Sequence, residues 1–68
     1  MNEEVFNLSI RKFLKRVGIT AQRSIEEAIR ESLSKGLLKG NEKLPVKIVL
    51  TLERTALGVV VDGDIELE

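Results

Sequence analysis

The 68-residue chain has no cysteine, no histidine, no tryptophan and no tyrosine, and only one proline. Without cysteine it can form neither disulfides nor thiolate metal sites. Without histidine it lacks the commonest transition-metal ligand and the general base whose unperturbed pKa lies closest to neutrality. Phe6 and Phe13 are the only aromatics. The core must therefore be aliphatic, and a surface that stacks bases or sugars is poorly supplied with anchors. No apolar run approaches the roughly 18 residues of a membrane helix. The opening Met1-Asn2-Glu3-Glu4 is acidic, where a signal peptide would be cationic. A cytoplasmic protein with no membrane partner is expected.

What is present is a short, charge-balanced chain, read as a single domain over residues 1–68. A chain of this length buries only about 60% of its unfolded surface, and small domains gain their margin from disulfides, metals or a partner subunit. With the first two absent, the expectation is a homodimer, the other course being an efficiently packed monomer. Eleven basic residues match eleven acidic ones, but unevenly: residues 1–43 carry a net +3 and residues 44–68 a net −3. Such an asymmetry suits head-to-tail packing of two copies, although exposed charge pairs contribute little individually and chance gives the same pattern.

The second half carries the clearest pattern. Leu44, Val46, Ile48, Leu50 and Leu52 fall on alternate positions, and so do Leu57, Val59, Val61, Ile65 and Leu67 with Gly63 interrupting. Alternation places each set on one side of a pleated strand. Strands are predicted over 44–53 and 57–67, with Glu53-Arg54-Thr55-Ala56 as the connection. A four-residue loop sets Leu52 against Leu57, Leu50 against Val59 and Ile48 against Val61, and puts Val49 against Val60 on the other face. All these apolar pairs agree in one register. Asp62-Gly63 is also a tight-turn signal. A turn there would make three strands but pair Val60 with Ile65, which lie in opposite phases. Two long strands, with a bulge at Gly63, fit better.

The first half has helical spacing. Phe6, Ile10, Phe13, Leu14 and Val17 share a face, with Asn2 as N-cap and two glutamates in the first turn. This predicts a helix over 3–17 ended by Gly18. A second helix is predicted over 21–35, capped by Thr20 and closed by Gly36, with Leu37 folding back in a Schellman arrangement. Its apolar face holds Ala21, Ile25, Ala28, Ile29, Ser32 and Leu33. Glu26 with Arg30, and Glu31 with Lys35, are acid-before-base pairs one turn apart. The fold class is α+β, in the order helix, helix, strand, strand, with both amphipathic helices packed on one face of an antiparallel β-hairpin. A two-stranded ribbon needs such cover.

Candidate chemistry is sparse. Arg11, Lys12, Lys15, Arg16 and Arg23 form a basic cluster of the kind that grips phosphates. The plainer account is the solvated back of an amphipathic helix, because no aromatics are interleaved. Residues 10–29 have the outline of a helix-turn-helix. However, Glu26, Glu27 and Glu31 on the second helix would be repelled by DNA, and Leu14 stands where that motif wants a small residue. Asp62, Asp64, Glu66 and Glu68 alternate along the last strand. Neighbouring carboxylates can bind divalent cations, but these point outward in parallel and read as a solubilising face. No serine has a base and no glycine spacing cradles phosphate. Neither an enzyme nor a cofactor is expected, and no catalytic or metal residue is nominated. Val5 and Leu8, off the main helical stripe, join Val49 and Val60 as candidate dimer contacts.

The opening Met-Asn-Glu-Glu resembles that of a family of short uncharacterised proteobacterial proteins. So do the run Arg11-Lys12-Phe13-Leu14-Lys15 with Val17-Gly18-Ile19-Thr20, the link Lys39-Gly40-Asn41-Glu42, and the ending from Asp62 through Glu68. The resemblance spans the chain. It implies a cytoplasmic stand-alone domain without a known activity, and it carries no functional residues over. The reading that follows is a small protein-interaction or assembly module, self-associating as a homodimer. The alternative is a weak nucleic-acid-binding protein using a helix-turn-helix-like N-terminal half.

Overall fold

In the computed structural model, which describes residues 1–68, one long helix precedes an antiparallel hairpin. The elements are α1 (Glu3–Ser34), β1 (Lys43–Thr51) and β2 (Gly58–Glu66). The backbone groups into two compact units, Met1–Leu37 and Leu38–Glu68.

The first unit corrects the expectation of two helices. α1 runs 32 residues without a break, through both Gly18 and Thr20. Gly18 is not a terminator, since only Gly36 and Gly40 among the glycines take positive φ. Thr20 is not a cap, and the tight corner between residues 17 and 21 does not form. The reason lies in the competing energies. A lone glycine inside a helix costs about 1 kcal/mol relative to alanine. Breaking the helix there would orphan a further set of backbone donors and acceptors at two new ends. No proline forces the break, and Leu14, Val17, Ala21 and Ile25 keep the apolar face in phase across it. The order helix, helix, strand, strand is thus corrected to helix, strand, strand.

The outer ends of that helix are as expected. The Asn2 side chain accepts hydrogen bonds from the backbone N–H of Glu4 at 3.1 Å and of Val5 at 3.2 Å, and Glu3 and Glu4 occupy the first turn. At the other end Gly36, at φ +76°, donates to the Leu33 carbonyl, and Leu37 donates to the Ser32 carbonyl at 2.9 Å. This pair of bonds is the Schellman motif, which needs a left-handed residue that glycine supplies without strain. Glu26 meets Arg30 at 3.5 Å and Glu31 meets Lys35 at 2.9 Å.

The second unit has the predicted register: Leu50 faces Val59, Ile48 faces Val61 and Val49 faces Val60. The strands are a little shorter than expected, at 43–51 and 58–66. Pairing continues through Gly63, which sits opposite Val46, so there is neither a bulge nor a third strand. Beyond the strands, the Leu67 N–H donates to the Glu42 carbonyl at 3.0 Å. That bond fixes the alternation of the ladder: even-numbered residues of β1 form the hydrogen-bonded rungs and odd-numbered ones the open rungs. Pro45 therefore stands on an open rung, where its missing N–H removes no ladder bond. At the tip, Thr55 Oγ1 donates to the Leu52 carbonyl at 2.7 Å and accepts from the Leu57 N–H. Arg54 takes φ +65° there, a left-handed conformation unusual for a side chain with a Cβ.

Candidate interaction surfaces

Continuity of α1 changes what its apolar residues amount to. The two separate faces read from the sequence merge into one stripe. It starts at Phe6, Ile10, Leu14 and Val17 and goes on through Ala21, Ile25, Ala28 and Ser32, in steps of four, four and three. That is an eleven-residue repeat, 3.67 residues per turn, close enough to the helix's own period for the stripe to stay on one side over its whole length. No residue of α1 is buried. Phe13 and Leu14 are more than half exposed. The stripe is bulky through its first half, whereas in its second half alanine and serine are interspersed with Ile25 and flanked by Ile29 and Leu33.

The basic cluster lies on the opposite side of the same helix. Helical spacing gathers Arg11, Lys12, Lys15, Arg16 and Arg23 on one arc, and none of them makes an ion pair. The motif that would aim them into a groove is missing, because the turn of a helix-turn-helix is replaced by continuous helix. Val5 and Leu8 share this basic side and are exposed. They are thus separated from the main stripe.

On the hairpin, Leu44, Val46, Ile48 and Leu50 share one face with Val59, Val61 and Ile65. Gly63 leaves a gap in that face, and a shallow open depression crosses the ribbon there between Pro45, Val46, Lys47, Asp62 and Asp64. The other face is polar and ordered by charge. Lys43 stands opposite Glu66 and Lys47 opposite Asp62, with Lys43 Nζ 3.9 Å from Asp64 Oδ2. The acidic row of β2 thus faces lysines across the ladder. Val49 and Val60 interrupt this face at an open rung, where paired side chains approach most closely. They are 62% and 54% exposed.

One ordered polar feature was missed by sequence reasoning. Glu42 folds its carboxylate back over its own loop. Oε2 accepts from the Lys39 N–H at 2.8 Å, and Oε1 accepts from the Gly40 and Asn41 N–H groups at 2.9 and 3.1 Å. Hydrogen bonds from the Lys39 and Gly40 amides hold its pKa below the ordinary glutamate value, against a smaller opposing effect of desolvation. The signal in the sequence is faint: Gly40, at φ +103°, lets successive amides converge on one point.

No helix is long and apolar enough to cross a membrane. The whole chain, residues 1–68, matches the model of DUF6494, a family of unknown function. No curated protein and no solved structure matches.

Proposed function

We propose that this chain, which belongs to the family DUF6494 along its full length, is a small interaction module that works as a homodimer rather than as an enzyme. The observation that carries the reading is that neither the helical unit nor the ribbon, each taken by itself, encloses a core, in a chain that is 43% hydrophobic. A single helix and a two-stranded ribbon each have an apolar side that is stable only when covered. The stripe of α1 is the main surface for association, and the Val49–Val60 pair is a smaller one.

Sedimentation equilibrium tests this directly. A mass near two chains at micromolar concentration is expected. A clean monomer at several hundred micromolar would sink the reading.

A further inference from the structure

We infer that the helix stripe is self-complementary and pairs with the same stripe of a second copy running antiparallel, with the two-fold axis passing near Ile19. This rests on the homodimer reading above and gives it a geometry.

Side-chain size supports it. In an antiparallel pair centred on Ile19, Phe6 lies level with Ser32 of the partner subunit, Ile10 with the partner's Ala28, Leu14 with the partner's Ser24, Val17 with the partner's Ala21, and Phe13 with the partner's Ile25. Four of these five levels set a larger residue against alanine or serine, and the fifth sets two large residues together. Summed volume then varies less along the seam than it would with like residues paired. A parallel pair would set Phe6 on Phe6 at one end and Ser32 on Ser32 at the other, splaying the first and leaving a void at the second. Each level also reads the same from either copy, as a two-fold interface requires.

Charge supports the same direction independently. Between residues 5 and 25 the helix carries five basic side chains and no acid, whereas residues 26–34 carry three acids and one arginine. Parallel pairing would lay the two basic stretches side by side. Antiparallel pairing offsets the two basic stretches along the axis and brings Glu3, beside the stripe, level with the partner's Lys35, while Arg11 and Lys12 stay on the side away from the seam. Lys15 beside the partner's Arg23 is the one like-charge level. Exposed charges add little energy singly, but their uneven distribution along the axis selects between orientations of otherwise similar stability. The dipoles of two long helices also favour opposite directions.

Spin labelling measures the arrangement, and the lack of native cysteine makes labelling specific. Thr20→Cys, Ser9→Cys and Ser34→Cys each place one nitroxide per chain. At 1.5 Å rise per residue, label pairs in the antiparallel dimer are offset along the axis by about 3, 30 and 45 Å respectively. Double electron–electron resonance should return distances that lengthen in that order. Short distances at all three positions would establish a parallel pair and overturn the inference. A sedimented mass of two chains with no such gradient would overturn the arrangement and leave the homodimer reading intact. A monomer would remove both.

Discussion

The helix and the hairpin both expose an apolar side, yet they differ in what else they leave open. In α1 every interior backbone group is bonded within the element, so only side chains remain to be covered. In the hairpin each strand has a single neighbour, so one whole row of N–H and C=O groups on each strand faces outward as well. The polar face answers that liability with lysine and acid rungs, which discourage a third strand from adding to either side. The helix has no such guard along its stripe. On the proposed reading, association by side-chain packing falls to the helix, while the charged rungs of the ribbon oppose indiscriminate pairing.

That contrast can be broken most forcefully at Leu14. Burying a leucine is worth roughly 1.5–3 kcal/mol, and a symmetric dimer loses it twice. Leu14→Asp should therefore weaken self-association at least about 100-fold in sedimentation, whereas Val49→Thr on the ribbon should shift it by about fourfold or less. The reverse ranking would move the association surface to the hairpin. Next in size is the pair of helix glycines. Gly36→Ala forces a Cβ into a left-handed position and should cost about 1 kcal/mol in thermal or denaturant unfolding followed by circular dichroism. Gly18→Ala should instead stabilise by roughly 0.5–1 kcal/mol, because a Cβ built there meets nothing within 4 Å. If Gly18→Ala destabilised the protein, the helix would have to break near residue 18 after all.

The smallest effect is expected at the loop between the units. A carboxyl whose folded pKa is depressed contributes stability that is complete above its unfolded value and is lost as pH falls through the folded one. Acid titration should therefore loosen residues 38–42 only below the ordinary glutamate range, read as faster amide exchange at Lys39, Gly40 and Asn41. Glu42→Gln should flatten that dependence. An unchanged profile in the variant would show that Glu42 does not hold the loop.

The hairpin was legible from its residues because alternation has a period of two. A slip of one position would turn Ile48, Leu50, Val59 and Val61 outward together, so only one register satisfied them all. The helix was legible at its ends and misread at its middle. Asn2 and Gly36 are local signals acting alone. Gly18-Ile19-Thr20 imitates a stop and a fresh cap just as locally, and what overrules it is the phase of the stripe across three turns. The merged stripe, and with it the main candidate surface, could be seen only once the helix was known to be continuous. The Glu42 carboxylate was invisible for a different reason: its partners are backbone amides, which every residue but proline possesses.

The ribbon's tip has a practical use. Arg54 adopts its left-handed turn at a conformational cost, and Thr55 staples the bend from within. Bends of this exposed kind accept grafted sequence more readily than strands do. A short epitope or a fluorogenic tag spliced between Arg54 and Thr55 would give cell biologists a handle on the protein that touches neither the long helix nor the paired rungs.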